Sequence, residues 1–147
     1  MTDMFLTMQL AASRQKDIFY EMGNSLKKDG LITNVEQFVA EVEQREQYGS
    51  TYIGHGVAVP HYQTDRVARS FIVVGVCHNV VDWPTADHVP IQIVLLFVIN
   101  MNGHTNQIRN NKMRNLMIHL ASGQNLDDLV RLTDKQGILN RLMETPS

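Results

Sequence analysis

The sequence predicts an α/β protein built as one layered domain, and three observations lead there. Two stretches, Ser70 to Cys77 and Ile91 to Ile99, are nearly continuous in apolar residues, which suits strands covered on both faces. Around them lie segments whose apolar residues recur every three or four positions, the spacing of amphipathic helices. The chain has 147 residues, one domain's worth and enough to bury a proper core. Layers of helix and sheet bury both patterns at once.

Taken in order, Met4 to Leu10 alternates loosely and reads as a first strand. Ser13 fits the N-cap of a helix running to about Lys28, with Ile18, Phe19, Met22 and Leu26 on one face. Lys27 and Lys28 suit its last turn, and Gly30 its stop. Thr33 or Asn34 caps a second helix, whose apolar stripe is Val35, Phe38, Val39 and Val42 while Glu36, Glu41 and Glu43 face water. Tyr48-Gly49-Ser50-Thr51 breaks it. Beyond Tyr62, Gln63 to Arg69 is a polar turn before the first apolar strand. His78-Asn79 turns the chain into Val80-Val81-Asp82-Trp83, and Pro84 to Pro90 loops to the second apolar strand. Asn100 to Gly103 ends that strand and a polar run continues to Arg109. A helix follows with Met113, Leu116, Met117 and Leu120 inward, broken by Gly123. Leu126 to Leu132 and Ile138 to Met143 read as two short closing helices ahead of a frayed Thr145-Pro146-Ser147 tail. There is no internal repeat, low-complexity tract or linker, so residues 1–147 read as a single domain.

Composition narrows the function classes. The formal net charge is -2 and no Lys/Arg cluster is dense, which argues against a nucleic-acid binder. Single Cys77 forbids an internal disulfide, lies in an apolar strand as a packed thiol, and suits a reducing cytoplasm. Met1 to Leu10 lacks the basic lead-in and cleavage site of a signal peptide, and Ile93 to Ile99 is too short to span a bilayer.

The chemistry gathers in Tyr52 to Tyr62, which reads Tyr-Ile-Gly-His-Gly-Val-Ala-Val-Pro-His-Tyr. Pro60 has no N–H and disfavours a helical Val59, so the chain reaches His61 extended, at a strand end beside loops. Gly54 and Gly56 leave bare backbone where a left-handed turn or an approaching anion costs little. Arg45 and Glu46 stand near the end of the second helix. From there Arg45 can offer a planar fork of donors to a phosphoryl group, and Glu46 can hold a loop N–H. His55, His61 and Glu46 also invite a metal, but their spacing matches no recognised ligand set, so neither metal nor cofactor is expected. His78, His88 and His119 have no constellation around them.

Arg45-Glu46, Ile53-Gly54 and Val57-Ala58-Val59-Pro60-His61 together resemble the signature of enzyme IIA domains of the fructose–mannitol class. These belong to the bacterial phosphoenolpyruvate-dependent sugar phosphotransferase system. Asp65-Arg66-Val67 also has the family's look. The resemblance implies a mixed central sheet flanked by helices on both faces. It also implies a phosphoryl group carried on His61, accepted from the histidine-containing phosphocarrier protein and passed to a IIB domain of a sugar permease in the cytoplasm. Arg45 and the backbone around Gly54 and Gly56 are then the candidates to stabilise its charge. Many members carry a second active-site histidine. Counted back from strand Ile91–Ile99 it falls on His104; counted from the helix downstream it moves towards Arg109 or Lys112, across the polar Asn106 to Asn111. Tyr62 departs from the family's small residue after the histidine, and its bulk is expected to narrow the approach or shift partner choice. Tyr62 and the irregular second-histidine region lean towards galactitol-like or other atypical members. A regulatory IIA-like module, signalling by its phosphorylation state, would share the signature.

Overall fold

In the computed structural model, residues 4–121 and 135–143 are described. The expected Gly123 break, the Leu126–Leu132 helix and the 145–147 tail lie outside them. The elements are β1 (Phe5–Leu10), α1 (Gln15–Lys28), α2 (Val35–Tyr48), β2 (Tyr52–Gly54), β3 (Val57–Ala58), β4 (His61–Thr64), β5 (Phe71–Cys77), β6 (Ile93–Asn100), α3 (Gly103–Ala121) and α4 (Lys135–Met143). They form one mixed sheet with helices on both faces, the expected architecture.

The sheet is centred on the two apolar strands. β5 and β6 pair antiparallel, and β1 adds parallel to β5. Along the far edge of β6 run β3 and then β4, both parallel to it, with β2 folded antiparallel onto β3. Period-two alternation divides the strands between two cores. Phe71, Val73, Val94, Leu96 and Val98 face α1 and α2, where Phe19, Met22, Phe38 and Val42 are buried. Ile72, Val74, Ile93, Leu95 and Phe97 face the other way, onto Met113, Leu116 and Leu120 of α3 and Ile138 and Leu142 of α4. That double burial is why β5 and β6 read as unbroken apolar runs.

Helix ends show where local signals held. Asn34 caps α2, its Oδ1 accepting the Gln37 N–H at 3.0 Å. α1 closes on Gly30 at φ +75°, with Gly30 N–H donating to Lys27 and Leu31 N–H to Leu26. Its start differs from expectation. The N-cap is Arg14, not Ser13, and no side chain caps it. The Asp82 carbonyl accepts the Gln15 N–H at 3.2 Å, while the Ser13 carbonyl accepts from Asp82 N–H at 2.7 Å. A passing chain replaces the serine hydroxyl.

α3 differs more. The polar run to Arg109 is not a connection but the first turns of the helix, which begins at Gly103. Its polar side chains are spent on the end of the sheet. Asn106 Oδ1 accepts the Ser70 N–H at 3.1 Å, Arg109 Nε donates to the Ser70 carbonyl at 2.9 Å, and the Ser70 hydroxyl donates to Asn110. Asn110 Nδ2 donates in turn to the Asn100 carbonyl at 3.1 Å. Buried backbone groups at the strand ends need such partners, so a polar helix face is buried here. The apolar spacing becomes visible only from Met113.

Gly56 illustrates a backbone approach that only glycine permits. It sits at φ +82° in the β2–β3 turn, and a Cβ there would lie 2.7 Å from the Pro90 carbonyl oxygen. Gly56→Ala is therefore expected to destabilise the fold by about 1–3 kcal/mol, read from the urea midpoint. An unchanged midpoint would show that the 84–92 loop yields freely.

Candidate functional site

His61 opens β4, on the sheet edge opposite β5. The edge strand runs through Val57 and Ala58, breaks at Val59-Pro60 and resumes at His61, so the histidine begins a strand instead of ending one. Pro60 has no hydrogen to donate but its carbonyl still accepts the Phe97 N–H at 2.9 Å, which keeps the ladder in register. Val59 N–H turns away to the Thr51 carbonyl at 2.9 Å. Glu46 fastens that same residue, accepting from the Thr51 N–H at 3.2 Å and from the Thr51 hydroxyl. The end of α2 is thus tied, through Thr51, to the residue two before His61.

Alternation places His61 and Tyr62 on opposite faces. His61 lies on the α3 side, its ring stacked on its cross-strand partner Phe97 with centroids 5.7 Å apart and planes 20° apart. Tyr62 points to the α2 side, edge-on to Phe38 at 4.9 Å and buried. Its hydroxyl accepts from Arg66, which also pairs with Glu41 at 2.6 Å. The ring that departs from the family pattern packs into the α2-side core, while Tyr62 still contributes to the lining of the groove that holds His61.

Arg45 is exposed in the last turn of α2, with Nη1 donating to the Gly49 carbonyl at 2.9 Å. An open groove of about 350 Å³ runs between α2 and the β4 edge, walled by Glu41, Gln44, Arg45 and Tyr48 on one side and His61, Tyr62 and Gln63 on the other. Arg45 and His61 therefore share one cleft. Burial first, and the Arg45 charge second, hold the His61 pKa below the usual 6.5, while the Val59 carbonyl acts the other way. The ring is neutral at pH 7, the state in which imidazole is a nucleophile. On α3, the Met117 sulfur lies 2.9 Å from His61 Nε2.

The remaining sequence candidates lie elsewhere or are otherwise engaged. Gly54 and Gly56 sit in the β2–β3 hairpin, five or more residues before His61 along the edge strand. The Gly56 N–H donates to the Tyr52 hydroxyl at 2.8 Å and the His55 N–H to Asp87 at 3.0 Å, so the turn's donors hold the hairpin instead of facing the cleft. Asp87 also accepts from the Tyr52 hydroxyl at 2.6 Å, and burial and that carboxylate push the Tyr52 pKa up to about 12. His104 falls in the first turn of α3, and its side chain is outside the described ones. Among the described residues, no three His, Cys, Asp or Glu side chains gather as metal ligands, and no helix is long and apolar enough to cross a membrane. Sequence reasoning missed Met117 and Phe97, which it took for plain core residues. Only cross-strand register and helix placement bring them to His61.

A half-buried imidazole and an arginine thus line one cleft, on a mixed sheet between helices. Over residues 2–145 the chain matches the family described as "Phosphoenolpyruvate-dependent sugar phosphotransferase system, EIIA 2", and it belongs to that family. It is 30% identical over 89 residues to the 2-O-alpha-mannosyl-D-glycerate-specific EIIABC component of Escherichia coli K12, a match covering 60% of this chain and 14% of that protein. It is 28% identical over 82 residues to the fructose-like EIIA component of the same organism, covering 56% of this chain and 55% of the relative. These matches thus span about half or less of either relative's length. The fold is shared with nitrogen regulatory protein IIA-Ntr of Neisseria meningitidis (TM-score 0.72, 17% identity, 95% and 97% of the two chains covered). It is also shared with the mannitol enzyme IIA of E. coli, solved in complex with phosphorylated enzyme IIB (TM-score 0.62, 18% identity, 98% and 96% covered).

Proposed function

We propose that this chain carries a phosphoryl group on His61, accepting it from the histidine-containing phosphocarrier protein and passing it to a IIB domain of a sugar permease in the cytoplasm. The observation that carries the reading is the shared cleft of His61 and Arg45, with the imidazole held neutral. Phosphoryl transfer asks mainly for in-line placement and for charge to meet the equatorial oxygens. The imidazole supplies the electron pair as the donor's P–N bond breaks, and the Arg45 guanidinium faces the oxygens. One exposed arginine attracts the group without trapping it, as a carrier requires. Family membership supports a IIB acceptor, and the mannitol enzyme solved with its phosphorylated IIB is consistent with that pairing.

The test is incubation of the purified chain with phosphoenolpyruvate, enzyme I and phosphocarrier protein, followed by intact mass at alkaline pH. One acid-labile phosphoryl group per chain is expected, and its transfer to a IIB domain completes the assay. A folded chain that stays unmodified beside active donors overturns the reading. Modification without transfer to any IIB would favour a regulatory module.

The lowered His61 pKa carries a pH dependence whose sign is definite. The neutral ring accepts the group, so the rate should hold from pH 8 down to about 6.5 and decline only below that. Stability moves the same way. As pH falls through about 6.5 the unfolded ring binds a proton before the folded one does, so the folded state loses stability towards its lower folded pKa. An NMR titration of the ring checks this, and a midpoint at or above 6.5 would contradict it.

A further inference from the structure

Glu41 and Arg45 stand one turn apart on α2, with the acid on the N-terminal side, the order in which a helical ion pair forms best. Among the described residues that line the His61 groove, they are also the charged side chains. Yet they do not pair. Both Glu41 oxygens accept from a single nitrogen of Arg66, Nη2, at 2.8 Å and 2.6 Å. The Arg45 guanidinium donates instead to the neutral Gly49 carbonyl, and among the described residues no ion pair engages it.

Arg66 comes from the turn after β4, and its neighbours fix it there. Its own N–H donates to the Thr64 hydroxyl at 3.1 Å, and buried Val67 follows, with a carbonyl that accepts from Asn100. Nη2 also donates to the Tyr62 hydroxyl at 3.3 Å. The guanidinium thus reaches Glu41 from a segment fastened to the sheet. Its side chain is 43% exposed and that of Glu41 36%, so the pair adds little to the stability of the fold. What it decides is which arginine the carboxylate meets.

Taking His61 as the acceptor, we propose that Arg66 is a positioning residue: by holding the Glu41 carboxylate it keeps Arg45 out of a helical ion pair and available to the phosphoryl group. Without Arg66, two changes act in the same direction. Glu41 turns to Arg45 and neutralises the cation that meets the equatorial oxygens, and any unpaired Glu41 charge repels an incoming anion. The groove is open, so both effects are modest and screened by salt.

The experiment compares wild type, Arg66→Met, Glu41→Gln and the double variant, by NMR titration of the His61 ring and by the rate of phosphoryl acceptance. Methionine keeps much of the apolar stem of the arginine without its charge. Arg45 holds the His61 pKa down, so the ring should titrate higher in Arg66→Met. The second-order rate constant for acceptance should fall about fivefold, the upper end for one exposed charge pair. That deficit should shrink as salt rises from about 50 mM to about 0.5 M, which a purely structural role would not do. In the Glu41→Gln background the same Arg66 change should leave titration and rate where Glu41→Gln alone puts them. An Arg66→Met ring that titrates as in wild type, an unchanged rate, or an equal loss in the Glu41→Gln background overturns the proposal. The titration needs no donor, so the two readings fail separately. A wild type that accepts no phosphoryl group, with rings that titrate as expected, overturns the acceptor and supports the hold of Arg66 on Glu41.

Discussion

Replacing His61 with alanine or glutamine is expected to abolish phosphoryl acceptance, from one group per chain to none, while leaving the fold intact. The groove offers no second imidazole among the described residues that line it: Glu41, Gln44, Arg45, Tyr48, Tyr62 and Gln63 supply carboxylate, amide, guanidinium and phenol groups. None is a neutral ring nitrogen that both accepts and releases phosphorus. The fold should tolerate the change because the ring is only half-buried and stands on an edge strand. A stability change within about 1 kcal/mol is expected for His61→Gln. Intact mass reads the first effect and urea unfolding the second. Retention of an acid-labile group in the His61 variant would move the acceptor to another residue.

The second large effect concerns the floor beneath the ring. Phe97 is fully buried in the α3-side core, and its ring is the surface on which His61 stacks. Phe97→Ala is expected to cost about 3–5 kcal/mol, the sum of lost burial and the cavity left in the middle of β6. Phe97→Leu should cost less, because most of the volume is refilled. Both should also loosen His61, so phosphorylation should slow even under conditions where the variant is fully folded. Urea unfolding together with the acceptance rate separates the two contributions. A Phe97→Leu protein with wild-type rate would show that the strand backbone alone orients the imidazole.

The elements differ in how far their neighbours were needed to recognise them. α2 was legible because its cap and its stripe are local: Asn34 meets the N–H three residues on, and Val35, Phe38, Val39 and Val42 form one helical face. β5 and β6 were legible because burial on two faces leaves no polar residue within most of their length. The start of α1 was misplaced by one residue, since Asp82, far along the chain, supplies the carbonyl that a serine hydroxyl would otherwise replace. The first turns of α3 were hidden for the same kind of reason. Asn106 and Asn110 carry no apolar period, and their partners Ser70 and Asn100 lie on other elements.

The candidate site divides along the same line. Sequence by itself determined the α/β layering, the extended arrival at His61 after proline, and the proximity of Arg45 and Glu46 to the loop, because each follows from bonded geometry or short-range spacing. It also determined the family, through residues crowded into one stretch. Only the tertiary structure decided that Tyr62 turns into the core, that Gly56 serves a close backbone contact, and that Phe97 and Met117 both meet the imidazole. Those outcomes depend on cross-strand register and on where a distant helix lands. A one-residue change of register would send His61 into the α2 core and Tyr62 to the α3 face.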